Sequence, residues 1–117
     1  MARLSAKDVA REVGLAVDEL SKPCDSNHFP SLANFVREWQ LVFWDLLDEN
    51  DRDDIDRENP TALEPLKKVA ALQKWKSRKG RGATYEVLIN ALLRNREKDQ
   101  AESLCQFLAL LSDKRGV

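Results

Sequence analysis

The sequence has few of the residues that form covalent cross-links or metal sites. It contains two cysteines, Cys24 and Cys105, which lie far apart, and one histidine, His28. Two distant cysteines exclude a disulfide framework and a Cys-x-x-Cys site. A single histidine without a second ligand at metal-binding spacing argues against a zinc site. We therefore expect neither a metal ion nor a cofactor.

Glycine, proline and long apolar runs are also scarce. The 117 residues include four glycines and four prolines, and this composition favours helices over sheets. No apolar run approaches the roughly 20 residues that span a bilayer, and charges interrupt the N-terminal "MARLSAKDVAREV", which therefore does not resemble a signal peptide. Hydrophobic residues make up 43% of the chain, too many for a disordered protein. We expect an all-α cytoplasmic domain that does not insert into a membrane.

Apolar residues recur at helical spacing along nearly the whole chain. The pattern predicts six helices joined by short connections, with the widest apolar face running from Leu32 to Leu47. Side chains with a hydroxyl group stand where four of the helices are expected to begin, and they are predicted N-caps: Ser5, Ser31, Thr61 and Thr84.

The helices are expected to form one domain around a single core. Residues 1–28 are predicted to be an N-terminal helix and loop that belong to the bundle, residues 29–112 the main helical bundle, and residues 113–117 a C-terminal tail. The predicted core residues are large apolar side chains on the inner faces of the helices: Trp39, Ile55, Leu72, Trp75, Leu88, Leu92 and Leu104.

Four apolar side chains fit these inner faces poorly. Leu41, Trp44 and Leu110 fall outside the main apolar stripes, and Phe107 lies at the edge of its own. If exposed, such residues are suited to anchoring a partner protein. If a second helix packs over them, they belong to the core instead, and the pattern leaves both interpretations open.

The second half of the chain carries a spacing of residues that is typical of one protein family. "DDIDRENP" supplies an Asp-Ile pair before a proline, "ALQKWKSRKGRGATYEVLINALLRN" supplies a leucine and a tryptophan before an Ala-Thr pair, and "DQAESL" opens the last predicted helix. The matching residues are Asp54, Ile55, Pro60, Leu72, Trp75, Ala83, Thr84, Leu88, Ala91, Leu92, Asp99, Ala101 and Glu102.

Over residues 53–104 the chain thereby resembles the death domain, the six-helix antiparallel bundle of the death-fold superfamily. The resemblance implies a Greek-key arrangement and a role as a protein-interaction module. Death domains bind other death domains through asymmetric, largely polar surfaces and build signalling platforms in apoptosis and innate immunity. The first half departs from the family pattern, since it has Trp39 and Trp44 but no Leu-Gly-Leu. The first helix therefore begins either near residue 5 or near residue 30, and the six-helix count favours residue 5.

Two consecutive segments carry opposite charge. Residues 45–58 contain eight acidic side chains against Arg52 and Arg57, and residues 67–81 contain seven basic side chains and no acidic one. Because successive helices of a bundle present different faces, we expect an acidic face and a basic face through which copies of the chain, or other death-domain proteins, pack head to tail. The predicted partner-binding residues are Asp51, Arg52, Asp53, Asp54, Asp56, Lys67, Lys68, Lys74, Arg78, Lys79 and Arg81.

The charged runs allow two other interpretations. Residues 67–81, with Trp75 and Tyr85 nearby, also suit a nucleic-acid-associated helical domain that holds phosphates and stacks bases. The acidic run and an isoelectric point of about 5.9 count against nucleic acid. Alternatively, both runs are solvated helix faces in a structural piece of a larger assembly.

No arrangement of residues in the sequence indicates catalysis. Asp53 and Asp54 are adjacent, and adjacent residues on a helix point about 100° apart. "RKGRGAT" lacks the Gly-Lys-Ser/Thr ending of a phosphate-binding loop, and His28 has no evident partner that would orient it as a general base. We therefore expect a non-enzymatic adaptor module without a small-molecule substrate.

Overall fold

The computed structural model describes residues 5–44, 46–58, 61 and 63–115, and the regular structure of these residues is helical. The expected all-α class is thereby confirmed. The described residues form no β-strand, and one isolated antiparallel bridge joins Pro23 to Thr84. They contain eight α-helices, where the sequence predicted six: α1 Ala6–Val13, α2 Val17–Leu20, α3 Phe29–Ala33, α4 Trp39–Val42, α5 Glu49–Glu58, α6 Glu64–Lys79, α7 Tyr85–Arg94 and α8 Lys98–Arg115.

Two of the four predicted N-caps are present. The Ser5 hydroxyl accepts a hydrogen bond from the Asp8 backbone N–H while the Asp8 carboxylate accepts one from the Ser5 backbone N–H, which forms a capping box at the start of α1. Gly14 ends this helix in the left-handed conformation, with a φ of 81° that glycine adopts without steric cost. At the start of α7, the Thr84 hydroxyl accepts a hydrogen bond from the Val87 N–H at 3.4 Å.

The other two predicted N-caps are wrong. Ser31 lies inside α3, which begins three residues earlier than expected. Thr61 lies outside α6, because that helix begins at Glu64, with Leu63 as its N-cap residue and Pro65 in its first turn. Proline suits this position, since its fixed φ is helical and its missing N–H leaves no unpaired donor there. The expected break at residues 59–60 falls outside the described residues.

The predicted helix from Leu32 to Leu47 is also wrong, because the chain divides there into α3 and α4. Residues 34–38 leave the helical conformation between them. The Arg37 backbone N–H donates to Glu97 Oε1 at 2.8 Å, and the Val36 side chain is fully buried. An acceptor 60 residues away in the sequence thus takes the place of an intrahelical carbonyl, so the local apolar period could not reveal the break.

One hydrophobic core connects the long helices. Trp75 of α6 is completely buried and meets the Phe43 ring edge-on, with 6.2 Å between the ring centroids. Among the described helices, none is both long and apolar enough to cross a membrane. The side chains predicted for the core are all buried: Trp39, Ile55, Leu72, Trp75, Leu88, Leu92 and Leu104.

The N-terminal segment packs into the same core. α1 lies against α7 and α8, and the Ala6 N–H at its start donates to Asn90 Oδ1 of α7 at 2.8 Å. Farther along, the Cys24 N–H donates to the Ala83 carbonyl at 2.7 Å. At the other end of the chain, α8 continues to Arg115 and so enters the segment predicted as a tail.

Replacing Thr84 with alanine is expected to lower the free energy of unfolding by about 1 kcal/mol, because an amide at the start of α7 loses its acceptor. The matched control is Thr61→Ala, at an exposed threonine outside any helix, where we expect a change within about 0.5 kcal/mol. Equilibrium urea unfolding followed by circular dichroism measures both. Equal losses at the two positions would contradict a capping role for the Thr84 hydroxyl.

Candidate interaction surface

The acidic helix α5 and the basic helix α6 pack against each other. Among the side chains that the structure describes, three ion pairs join them, and we call these the α5–α6 ion pairs. They occur in opposite order along the two helices, as in an antiparallel packing, with these distances between nitrogen and oxygen: Asp51–Arg78 at 2.8 Å, Asp54–Lys74 at 3.8 Å and Asp56–Lys67 at 3.2 Å.

The Asp51–Arg78 pair differs from the other two in its burial. The Asp51 side chain is 4% exposed, whereas 59% of the Arg78 side chain remains exposed. The hydrogen bond to Asp51, and then the negative charge of that carboxylate, raise the pKa of Arg78 above its usual value. A carboxylate that is nearly removed from water requires such a cation, because an unpaired buried charge is strongly destabilising.

The helical repeat of α6 accounts for the choice of cations. Lys67, Lys74 and Arg78 are separated by seven and four residues, so at about 100° per residue they lie along one flank of the helix. Trp75 points into the core from the neighbouring position. When Trp75 is buried, this flank therefore faces the helix beside it, which is α5.

The structure places the eleven predicted partner-binding residues in three different situations. Six of them form the α5–α6 ion pairs, and Arg52 is held by contacts to the segment before α5. The two charged runs therefore neutralise much of each other, and the expectation of two fully separate faces is corrected to that extent. The remaining four make no ion pair with any described residue: Asp53, Lys68, Lys79 and Arg81.

A groove lies between α4 and α5, and we call it the α4–α5 groove. Its volume is about 210 Å³. The Arg52 guanidinium lies over the Trp44 ring, 4.1 Å from its centroid, and Arg52 Nη1 donates to the Trp44 and Leu47 carbonyls at 2.7 and 2.9 Å. The residues that line the groove are Trp39, Gln40, Trp44, Glu49, Arg52, Asp53 and Asp56.

Three of the four poorly fitting apolar residues are exposed. Leu41 is 54% exposed, Trp44 63% and Leu110 62%. Phe107 instead packs against the core, where its ring lies 5.6 Å from that of Phe35, centroid to centroid. Of these residues, Trp44 lines the α4–α5 groove, and an exposed tryptophan is the kind of side chain that anchors a protein partner.

The sequence interpretation missed two members of this groove. Gln40 and Glu49 were not among the predicted partner-binding residues, although both line it. The available signal for Glu49 was its position four residues before Asp53 on one helix, which places the two carboxylates on the same face.

A second exposed feature is the turn after α6, residues 79–82, which we call the basic turn. α6 ends at Lys79, and a 3-10 turn from Gly80 to Gly82 follows. Gly80 adopts a φ of 56° with no atom near the position that a Cβ would occupy, which indicates open space around it. Lys79 and Arg81 are both exposed, so the turn presents two positive charges to solvent.

Outside these surfaces lie two buried thiols and the single histidine of the sequence. Burial raises the pKa of the Cys24 thiol to about 12 and that of Cys105 to about 11, and a protonated buried thiol is a poor nucleophile. His28 Nε2 lies 3.9 Å from Asp25 Oδ2. Across the part of the chain that is described, no group of three or more His, Cys, Asp or Glu side chains is arranged to hold a metal ion.

The aromatic residues of the basic region are unavailable for base stacking. Trp75 is completely buried, and Tyr85 is 6% exposed. A single-strand binder stacks bases on exposed rings beside its basic groove, and neither ring can do so here. The only feature of this region that still supports nucleic-acid binding is therefore the positive charge of residues outside the α5–α6 ion pairs.

Comparison with known proteins gave no relative: the chain matches no protein-family model, no curated protein and no solved structure.

Replacing Arg78 with alanine is expected to lower the urea concentration at the midpoint of unfolding, because the nearly buried Asp51 carboxylate loses its partner. The matched control is Lys68→Ala, which removes a charge from the same helix without breaking an ion pair among the described residues. We expect a clearly smaller shift for the control. A double change, Asp51→Asn with Arg78→Ala, should recover part of the loss, and equal shifts for Arg78→Ala and Lys68→Ala would contradict this account.

Both thiols are expected to react slowly with a thiol reagent at pH 8 in the native protein and rapidly in urea. For Cys24, a pKa near 12 instead of the ordinary value of about 8.5 lowers the thiolate fraction at this pH on the order of a thousandfold. The release of thionitrobenzoate measures the rate. Rapid labelling of either thiol before unfolding begins would contradict the inert role assigned to them.

Proposed function

We propose that this chain is a non-enzymatic protein-interaction module of the death-domain type, which assembles with other death-domain proteins or with copies of itself in apoptotic or innate-immune signalling. The observation that carries the proposal is the presence of unpaired charges of both signs on different sides of one small domain. They include the acids Glu49 and Asp53 and the bases Lys79 and Arg81.

The position of these charges on the helices supports the proposal. Asp51 points towards α6, where it meets Arg78, the residue before the basic turn. Glu49 and Asp53 each lie two residues from Asp51 on α5, and at about 100° per residue they project from the opposite side of that helix. The unpaired acids and bases of one molecule therefore cannot neutralise each other, and they remain available to a second molecule.

Such an arrangement favours head-to-tail contacts. Two different surfaces that are complementary in charge form a heterologous interface, which leaves one of each surface free on every assembly and allows it to grow. Opposite charges also speed association and reject wrong partners, even where each pair adds little affinity. This mode of action agrees with what the resemblance to death domains implies.

The core also supports the proposed family. Ile55, Leu72, Trp75, Ala83 and Leu88, which carry part of the resemblance, are all buried together in one hydrophobic core. The capped start of α7 at Thr84 belongs to the same pattern. The raised pKa values of both thiols support the non-enzymatic part of the proposal, because they leave the chain without an activated cysteine.

Sedimentation velocity across protein concentrations tests the proposal, at low and at high salt. We expect self-association at low salt, up to about 1 mM protein, where even a millimolar dissociation constant populates assemblies. High salt should weaken it, because exposed charges are screened. Variants at Lys74 or Arg78 are unsuitable here, since both residues form α5–α6 ion pairs and their loss would also affect folding.

A fluorescent oligonucleotide, single-stranded or double-stranded, is titrated in parallel. We do not expect binding that weakens steeply with salt, because few cations remain outside the α5–α6 ion pairs and these few are exposed. Steep weakening with salt would indicate counterion release from phosphates, and it would replace the proposal by the nucleic-acid alternative. A chain that stays monomeric throughout would exclude self-assembly and leave heterotypic death-domain partners as the remaining form of the proposal.

A further inference from the structure

The α4–α5 groove has the chemistry of a site for a cationic side chain. Its walls combine an exposed aromatic ring, Trp44, with three carboxylates, Glu49, Asp53 and Asp56. One of these, Asp56, already pairs with Lys67. Glu49 and Asp53 make no ion pair with any described residue, and both are exposed at the groove.

The protein itself demonstrates that a guanidinium fits against Trp44. The Arg52 guanidinium carbon lies 4.1 Å from the centroid of that ring, a distance typical of a cation–π contact. Arg52 lies over one face of the ring, and Trp44 nevertheless remains 63% exposed. The ring therefore still offers surface to a second cation, with two free carboxylates beside it.

The two free carboxylates are neighbours on the helix that carries them. Glu49 and Asp53 are four residues apart on α5, so their like charges repel each other, and of the two only Glu49 lies in the first turn, where the helix dipole favours an acid. α5 is also poor in packing, since its buried residues are Ile55 and Asp51. A weakly packed helix thus carries two acids without an ion-pair partner, and an exposed tryptophan from the α4 side lies beside them. This arrangement points to an interaction outside the folded monomer.

The basic turn supplies the matching chemistry. Lys79 and Arg81 are exposed, make no ion pair with any described residue, and stand on either side of Gly80. Apart from its chain neighbours, Gly80 has no atom within 4 Å of the position that a Cβ would occupy, so the turn is free to approach another surface closely. One guanidinium and one ammonium correspond to the two free carboxylates and the tryptophan ring of the α4–α5 groove.

We propose that the α4–α5 groove binds the basic turn of a second copy of this chain, with Arg81 against Trp44 and Asp53 and with Lys79 beside Glu49. This proposal rests on the proposed function and names the two surfaces of its self-assembly. The groove cannot receive the turn of its own molecule, because the turn follows Arg78 on the Asp51 side of α5 while Glu49 and Asp53 project from the opposite side. Each molecule thus contributes one groove and one turn.

The test uses two variants that each disable one of the two surfaces. The groove variant carries Glu49→Gln and Asp53→Asn, and the turn variant carries Lys79→Gln and Arg81→Gln. All four residues are exposed, so the fold should persist, and circular dichroism with urea unfolding verifies this. The matched control, Lys7→Gln with Arg11→Gln, removes two exposed positive charges from α1.

Sedimentation velocity at low salt is expected to show self-association of the wild type and of the control. The groove variant and the turn variant should each associate at least about tenfold more weakly. When the two variants are mixed in equal amounts, the intact groove of the turn variant can bind the intact turn of the groove variant. The mixture should therefore form a one-to-one dimer and no larger species, because both other surfaces of that dimer are disabled.

The outcomes separate this proposal from the proposed function. If the wild type assembles and either variant assembles equally well, the surfaces are wrong while self-assembly stands. If both variants are defective but their mixture stays monomeric, the pairing of turn with groove is wrong. If the control lost self-association to the same extent, the effect of the variants would come from the change in net charge and not from these two surfaces. A wild type that is monomeric at every concentration would overturn this proposal together with homotypic assembly.

Discussion

The burial of Trp75 determines how the rest of the charged surface is arranged. The ring is completely buried against Phe43, and truncating a buried tryptophan to alanine typically costs about 3–5 kcal/mol. Exposed ion pairs on the surface of a domain contribute far less. The orientation of α6 about its own axis therefore follows from Trp75, and the direction of its lysines and arginines follows from α6.

The α5–α6 ion pairs then have an organising role rather than a dominant energetic one. Exposed ion pairs contribute between about 0 and 1 kcal/mol each, which is small beside the apolar core. α5, however, has Ile55 as its buried apolar side chain, and a helix with so little packing needs other means to fix its position. A series of oppositely charged partners in antiparallel order selects one register for α5 along α6. The nearly buried Asp51 makes that selection strict, because any other register would leave its carboxylate unpaired.

The sequence predicted the features that depend on neighbouring residues, and it failed where a distant residue decides. The caps at Ser5 and Thr84 and the burial of the periodic leucines follow from local patterns. The break between α3 and α4 depends on Glu97, which lies 60 residues from its partner Arg37. The predicted charged faces failed in part for the same reason, since the charges of α5 and α6 could be counted in the sequence but their mutual packing could not. The exposed ring of the α4–α5 groove was visible in the sequence only as one residue, Trp44, that fell outside the main apolar stripes.

The uneven burial of the three tryptophans gives the protein an intrinsic optical reporter. Trp39 and Trp75 are buried, at 2% and 0% exposure, whereas Trp44 is 63% exposed at the α4–α5 groove. Emission from a solvated indole is shifted to longer wavelength and is open to collisional quenchers such as iodide, while indoles enclosed in the core are shielded from both effects. The long-wavelength edge of the emission spectrum therefore comes from Trp44 alone. Occupancy of the α4–α5 groove can be followed by intrinsic tryptophan fluorescence, without an added label.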